Sequence, residues 1–219
     1  MIEIMKKVAV AIHAVKEFDI NPISRLEELD YIHVDVMDGK FVNNTMLYLD
    51  VFTILRDNLA IPIIAHLMVT DPLEYVDRIS DTVDAIFFHF EIEQDKHLII
   101  EKIKKRGKKI GLVLNPPTKV SELMPYLPDI DYVLIMGVNP GWSGQKFIHE
   151  TIEKVNKLAR KKHLHNFEID VDGGVNLENA KMLTNADILS SSSTILKAQD
   201  PNEVIQLLKA SDSSEQKKE

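Results

Sequence analysis

The clearest alternation of apolar and polar residues in the sequence lies between positions 31 and 37. Its β-branched members are Ile32, Val34 and Val36. A repeat of two predicts a β-strand, in which successive side chains point to opposite faces. His33, Asp35 and Met37 therefore share the other face, and Asp38-Gly39 ends the strand with residues typical of a turn. The pattern predicts a histidine and a carboxylate near the carboxyl end of a buried strand.

This polar pair has two interpretations. Burying His33 and Asp35 is costly unless a partner compensates for the lost water, and a His–Asp hydrogen bond within a core is the simpler solution. A pair that binds a ligand or takes part in catalysis is the alternative.

The rest of the chain repeats one unit, a short apolar strand followed by a helix, eight times. The predicted strands cover residues 8–12, 31–37, 62–68, 85–90, 110–114, 132–136, 167–171 and 187–191. The predicted helices cover residues 22–29, 45–58, 71–80, 95–106 and 118–126, part of 144–162, 176–183, and a segment that starts at Asp200-Pro201.

Strands that alternate with helices pair in parallel, and eight such units are the number that closes into a (β/α)8 TIM barrel. A doubly wound open sheet is the alternative α/β architecture, but it leaves the eighth unit as an unexplained edge. We expect one catalytic domain over residues 1–210 and a polar, disordered tail over residues 211–219.

The amino-acid composition excludes several kinds of chemistry and partner. The 219 residues include no cysteine, which excludes disulfides, thiolate nucleophiles and cysteine-bound metals. The formal net charge of −8 argues against a nucleic-acid partner. The sequence contains no apolar run long enough for a bilayer and no signal peptide, so we expect a cytoplasmic protein without a membrane partner. An anionic small molecule stays compatible, because backbone amides can bind phosphate locally.

Further polar residues lie where predicted strands end, which is the face of such barrels that carries active sites. The four candidates are His33, Asp35, His66 and Asp172. Each alone is more simply explained as structural. Together they form a ligand set that suits Zn²⁺, Fe²⁺, Mn²⁺ or Co²⁺, so the sequence predicts a metal site.

Three loops at the same predicted face could hold a phosphate group. Glycine-bearing loops follow the sixth and seventh strands at 139–145 and 173–174, and a serine run covers 190–193. Loops after strands seven and eight are the usual phosphate seat in such barrels. Glycines that only permit tight turns are the alternative, and for Gly141 alone the better one, but the three loops together favour a ligand.

Four segments together resemble the ribulose-phosphate 3-epimerase family. They are HVDVMDGKFVNN (33–44), HLMV (66–69), VNPGWSGQKF (138–147) and VDGGV (171–175). The similarity runs from about residue 8 to residue 208, which is nearly the whole chain.

The resemblance implies a metal-dependent epimerisation at C3 of a ketose phosphate, namely D-ribulose 5-phosphate to D-xylulose 5-phosphate in the pentose phosphate pathway. It implies that Asp35 removes a proton from one face of the substrate and that Asp172 returns one to the other face. One divalent ion, held by the four candidates above, would stabilise the enediolate. The implied substrate and phosphate contacts are His66, Gly141, Trp142, Ser143, Gly144, Gly173, Gly174, Ser192 and Ser193. Met37, Met68 and Met136 would line the pocket, although filling a core explains them equally well.

Several substrate-contact positions depart from the family pattern. They are Ala11 in place of a serine, Asn43 in place of a proline, and Ser143 and Ser192 in place of glycines. The lost hydroxyl at Ala11 costs about 1 kcal/mol if nothing replaces it. His13 shares the strand face of Ala11 and could supply a substitute donor, although a surface histidine is the simpler interpretation.

The metal positions match the family while the substrate contacts vary, so the sequence indicates the reaction type more firmly than the substrate. The alternatives are a paralogue that acts on another ketose phosphate such as D-allulose 6-phosphate, and a barrel that binds a sugar phosphate without turnover. Members of the family commonly assemble, which leaves a homo-oligomer open.

Overall fold

The computed structural model describes residues 5–211, and within them nine strands and eight α-helices. The strands are Lys7–His13 (β1), Tyr31–Asp38 (β2), Thr45–Met46 (β3), Ile63–Met68 (β4), Ala85–His89 (β5), Lys109–Leu114 (β6), Tyr132–Met136 (β7), Glu168–Asp172 (β8) and Ile188–Ser191 (β9). The α-helices are Asn21–Ser24 (α1), Asp50–Asn58 (α2), Pro72–Ile79 (α3), Lys96–Lys105 (α4), Glu150–Ala159 (α5), Leu177–Ala180 (α6), Ser193–Leu196 (α7) and Pro201–Lys209 (α8). A 3₁₀ helix covers Val120–Asp129. Beyond Ser211, the tail expected at 211–219 lies outside the described residues.

Eight of the described strands run parallel and close into a ring. Their order is β1-β9-β8-β7-β6-β5-β4-β2, and β1 pairs with both β9 and β2. The short β3 adds to β2 in the antiparallel direction. The predicted (β/α)8 barrel is therefore confirmed, and the open doubly wound sheet is excluded because the ring has no free edge.

Local signals set the ends of two helices, α3 and α4, as the sequence predicts. The Asp71 side chain accepts a hydrogen bond from the Glu74 amide at the start of α3, where Pro72 occupies the first turn. Gly107 follows α4 with a φ of +67°, the left-handed conformation that glycine provides at helix ends. No helix within residues 5–211 is long and apolar enough to cross a membrane.

Strand parity divides the buried residues into two layers. Ile32, Val34 and Val36 point outward from β2 into the large apolar cluster that lies between the ring and the helices. An inner apolar cluster includes Phe87 and Tyr132, whose ring centroids lie 5.3 Å apart. The outward and inward faces of β2 are those that the alternation predicts.

The helix predicted over residues 45–58 begins only at Asp50. Thr45 and Met46 instead pair antiparallel with Asp38 and Met37. The reason is a tertiary one, because β2 extends beyond its neighbours and offers hydrogen-bonding groups that the local pattern does not reveal.

Other predicted helices keep their place but change length or type. The helix predicted at 118–126 is the 3₁₀ helix, because Pro125 and Pro128 lie inside it and each lacks the amide hydrogen that an α-helix needs. The helix predicted at 22–29 ends at Ser24, and Glu28 has a φ of 55° that no α-helix allows. The short α7 was not predicted because its serines resemble a loop.

The inner layer generates a first prediction, because Gly111 faces Phe87 across the β5–β6 pair. A Cβ at Gly111 would lie 2.2 Å from the Phe87 ring. We expect Gly111→Ala to lower the free energy of unfolding by about 2 kcal/mol, measured by urea denaturation.

Removing the steric conflict should recover part of that loss. We expect the double variant Gly111→Ala, Phe87→Leu to lose less free energy of unfolding than the two single variants lose together. Additive losses would show that the ring and the new methyl group do not compete.

Candidate metal centre and active-site cavity

Strand parity and register bring the four predicted ligands to the carboxyl end of the ring. His33 and Asp35 point inward from β2, His66 from β4, and Asp172 from β8. Asp35 and His66 are direct partners in the β2–β4 register, so they lie at one height. All four side chains are buried. Three strands therefore deliver two imidazoles and two carboxylates to one point inside the barrel.

The four side chains meet at short distances. His33 Nε2 lies 3.0 Å from His66 Nδ1 and 3.2 Å from Asp35 Oδ1. His66 Nδ1 lies 2.9 Å from Asp35 Oδ1. Asp172 Oδ2 lies 3.9 Å from His33 Nε2 and 4.0 Å from His66 Nδ1. One ligand atom from each residue lies within 4.8 Å of the other three, a spacing in which a single ion can contact them all.

The two carboxylates differ in their proton affinity. Burial alone would raise the pKa of Asp35, but its contacts with the imidazoles of His33 and His66, whose charged forms favour the carboxylate, hold that pKa well below its usual value. Burial raises the pKa of Asp172 to about 6, and the negative charge of Asp35 adds to this while His33 opposes it. Two acids with separated pKa values at one site form a typical acid–base pair.

The two histidines also differ. Burial alone would lower the pKa of His33, but its hydrogen bond to Asp35 and the charge of Asp172 raise it to about 9. Burial lowers the pKa of His66 to about 4, since its hydrogen bond to Asp35 offsets only part of the effect. One histidine therefore offsets part of the negative charge of the two carboxylates, while the other stays uncharged.

A hydrogen-bonded chain leads outward from His33. The Ser190 hydroxyl donates to both oxygens of Asp170 at 3.0 and 3.1 Å and lies 3.4 Å from His33 Nδ1. Because the hydroxyl hydrogen is engaged by Asp170, its oxygen is left to accept the Nδ1–H of His33. This arrangement leaves His33 Nε2 for the centre, as is usual for ligating histidines. Asp170 itself is buried, which raises its pKa to about 6.

A second chain leads outward from His66. Its Nε2 lies 2.9 Å from Nε2 of the fully buried His89. His89 Nδ1 lies 3.5 Å from Glu91 Oε2, and neither atom has a hydrogen-bond partner elsewhere in the described chain. The tautomer of His89 with its hydrogen on Nδ1 suits this nearby carboxylate and leaves Nε2 to accept a hydrogen bond from His66. Both predicted histidine ligands thus have an outer partner.

The positions of these residues behind the two histidines were not predicted from the sequence. Asp170 has the strand parity of Asp172, and Ser190 belongs to the serine run, so parity marks both as inward-facing. His89 ends β5 in the same manner as the predicted ligands end their strands. A search for every polar residue at a strand end would have found Asp170, Ser190 and His89. It would not have shown which of them contacts His33 or His66.

The donor set fits a divalent cation. Two imidazole nitrogens and two carboxylate oxygens converge in a buried site. The other ring nitrogen of each imidazole contacts Ser190 or His89, as is usual for ligating histidines. These donors are acceptable to several transition metals, so the described residues form a group that could hold a metal without selecting one.

A cavity of about 230 Å³ opens above this group. Both carboxylates line it, as do the predicted methionines Met37, Met68 and Met136. The other predicted residues in its wall are Gly141, Trp142, Ser143, Gly144, Gly173, Gly174, Ser192 and Ser193. His33 and His66 lie beneath the wall, each with no exposed surface. Of the residues predicted to contact substrate, only His66 is therefore absent from the wall.

Two of the four serines in the run serve the protein itself. Ser190 donates to Asp170, and the Ser191 hydroxyl donates to the Val175 carbonyl at 2.9 Å. Ser192 and Ser193 line the cavity without a side-chain partner of that kind. Gly173, on the facing loop, has a φ of +98°, and a Cβ there would lie 2.5 Å from the Val138 side chain, so its tight turn requires glycine.

Comparison with known proteins gives a consistent family match. Residues 4–196 match the model of the ribulose-phosphate 3 epimerase family. The chain is 36% identical over 188 residues to ribulose-phosphate 3-epimerase of Bacillus subtilis (strain 168), which covers 83% of this chain and 87% of that protein. It is 41% identical over 165 residues to the ribulose-phosphate 3-epimerase of Rhodospirillum rubrum, covering 73% of this chain and 72% of that protein.

Solved structures agree with the fold. KGPDC from Streptococcus mutans superposes with a TM-score of 0.72 at 14% identity, covering 95% of this chain and 97% of that one. The 3-hexulose-6-phosphate synthase from Salmonella typhimurium gives a TM-score of 0.67 at 13% identity, with coverage of 94% and 98%. At such identities the likeness concerns the barrel alone.

The outer histidine generates a prediction about metal affinity. His89→Leu leaves the Nε2–H of His66 without an acceptor, so we expect Zn²⁺ to bind about 10- to 100-fold more weakly, measured by competition with a chelator. His97→Leu, at an exposed position of α4, serves as the control and should bind as the parent protein does. Equal affinity in both variants would show that His89 does not orient His66.

The raised pKa of His33 generates a prediction about protons. With a pKa of about 9, His33 is protonated near neutral pH and must lose a proton before its Nε2 can bind a cation. We therefore expect Zn²⁺ to release about one proton at about pH 7.5 and fewer as the pH approaches that pKa. Calorimetry in buffers of different ionisation enthalpy measures this number, and binding without proton release would contradict it.

Proposed function

The chain belongs to the ribulose-phosphate 3-epimerase family and is an epimerase, and we propose that it interconverts D-ribulose 5-phosphate and D-xylulose 5-phosphate by inverting C3. This reaction would place it in the pentose phosphate pathway, in agreement with the names of its relatives. The observation that carries the proposal is the pair of carboxylates with separated pKa values at the floor of one cavity.

Inversion needs two acid–base groups that reach the same carbon from opposite faces. Asp35 and Asp172 come from β2 and β8, which β1 and β9 separate on the shorter path around the ring. Their carboxylates approach the centre from different strands, and both line the cavity. This arrangement supports assigning one face of the substrate to each residue.

The two acids differ in how readily they hold a proton, which suits opposite tasks. Asp35, with its pKa held low, is ionised and accepts the C3 proton. Asp172, with its raised pKa, holds a proton more readily and delivers it to the other face. In the reverse direction the roles exchange, as microscopic reversibility requires.

His33, Asp35, His66 and Asp172 would hold one divalent ion of Zn, Fe, Mn or Co. When bound, such an ion supplies a positive charge that stabilises the negative charge developing on the substrate oxygens. The methionine side chains of the wall would keep water from the carbon whose proton is being moved.

The loops in the remaining cavity wall support a phosphate group. Gly173, Gly174, Ser192 and Ser193 face one another across adjacent loops after β8 and β9. We assign the phosphate to these loops and to Gly141–Gly144, where backbone amides and hydroxyls are available as donors.

A barrel that only binds a sugar phosphate is less well supported. Such a protein gains nothing from two buried carboxylates at one site, one of which raises the pKa of the other. Burying them costs stability, which is understandable where they act on the substrate.

The proposal generates a prediction about isotope exchange. In heavy water, the parent protein with a divalent ion should convert D-ribulose 5-phosphate to D-xylulose 5-phosphate and place deuterium at C3. We expect Asp35→Asn to abolish both processes on D-ribulose 5-phosphate, because the first proton can no longer be removed. Nuclear magnetic resonance follows both processes in one sample.

The matched variant Asp172→Asn should separate the two processes. Asp35 can still remove and return the proton, so exchange at C3 continues while inversion is lost. Exchange that persists unchanged in Asp35→Asn would remove Asp35 from the proposed role. Turnover of D-allulose 6-phosphate in place of the pentulose would move the assignment to that substrate.

A further inference from the structure

We propose that His13 is a substrate-binding residue, whose imidazole donates a hydrogen bond to an oxygen of the bound ketose phosphate. The proposal rests on the proposed epimerase function and adds a contact that the metal group and the phosphate loops do not supply. Four features of the site lead to it.

The first feature is the position of His13 beside the proposed base. His13 ends β1 and is the register partner of Asp35 in β2. Its Nε2 lies 3.8 Å from Asp35 Oδ2, while Oδ1 of the same carboxylate faces the two buried histidines. A carbon that gives its proton to Asp35 must come within about 3 Å of that carboxylate. The oxygens bonded to that carbon and to its neighbours then lie within reach of His13.

The second feature is access. The side chain of His13 is 29% exposed, against none for His33, and it lines the cavity. The structure therefore places it in the site rather than on an unrelated surface. Ala11, two residues earlier, lines the same wall and offers only a methyl group.

The third feature is the charge of the cavity wall. Among the described residues that line it there is no lysine or arginine, and two carboxylates are present. His13 is the one imidazole in that described wall, and its ring N–H is a hydrogen-bond donor. The two acids repel an anionic substrate, and a hydrogen bond donated by His13 beside them would offset part of that repulsion.

The fourth feature is the contact that orients the imidazole ring. Ser143 Oγ lies 3.3 Å from His13 Nε2. Ser143 belongs to the loop after β7, and β8 and β9 separate that strand from β1, so the loop crosses the cavity mouth to make this contact. The same loop is fixed on its far side, where Asn44 Nδ2 donates to the Gly141 carbonyl at 2.8 Å. His13 is thus held between the loop and Asp35 with its Nε2 facing the cavity.

A purely structural role would have a different consequence. If His13 only anchored the crossing loop, then loosening the loop elsewhere should have the same effect as removing the imidazole. Asn44→Ala removes the far attachment without changing His13, so it separates the two roles.

The test compares four variants with the parent protein, each loaded with the same divalent ion. We expect His13→Leu to raise KM for D-ribulose 5-phosphate about tenfold and to leave kcat within about twofold, because a ground-state contact is lost. His13→Gln keeps a side-chain N–H donor and should recover most of the loss. Asn44→Ala loosens a loop that is assigned to the phosphate, so we expect it to weaken inhibition by inorganic phosphate, whereas His13→Leu should leave that inhibition unchanged. His163→Leu, at an exposed position after α5, should match the parent.

Direct binding keeps this inference separate from the proposed function. The dissociation constant of D-ribulose 5-phosphate, measured by calorimetry on the inactive Asp35→Asn protein, should rise about tenfold when His13→Leu is added. Absence of turnover in the parent protein would overturn the epimerase assignment, while this binding difference would still be measurable.

Three results would overturn the role of His13. One is equal KM and dissociation constant with and without the imidazole. Another is weaker inhibition by inorganic phosphate in His13→Leu, as in Asn44→Ala, without recovery in His13→Gln, which would assign His13 to the loop. The last is a loss confined to kcat, which would place its effect on the chemistry of Asp35 instead of on binding.

Discussion

Everything at the carboxyl end of this barrel depends on the mutual compensation of four buried polar side chains. Taking two carboxylates and two imidazoles out of water is unfavourable unless each finds a partner. Here every one of them lies within 4.0 Å of at least two of the others. Closure of the ring makes this possible, because His33, His66 and Asp172 belong to three strands that meet only in a barrel.

The contacts among these four side chains also give Asp35 and Asp172 different pKa values. Asp35 lies against both histidines, which stabilise its ionised form, whereas Asp172 lies farther from them, so burial and the charge of Asp35 raise its pKa. Similar side chains thus obtain opposite shifts in pKa from small differences in position. The outer partners of the histidines continue the pattern, since Asp170 and Glu91 end the two chains with a carboxylate.

Much of this arrangement is predictable from the sequence because strand parity is a local property. The inward face of β2, the polar strand ends and the eight-fold alternation all follow from residue spacing, and the family resemblance adds their chemical roles. What spacing cannot give is which strands are neighbours and how loops cross between them. The contact of His66 with His89 requires the adjacency of β4 and β5. The contact of His13 with Ser143 requires a loop that spans the mouth.

The central claim is that one cation binds these four residues inside the barrel. The most direct measurement is anomalous X-ray diffraction from crystals of the Zn²⁺-loaded protein. The account predicts one strong peak at about 2.0–2.2 Å from His33 Nε2 and His66 Nδ1, with an oxygen of Asp35 and of Asp172 at similar distances. A fully loaded protein whose zinc lies elsewhere, or contacts only one of these strands, would contradict it.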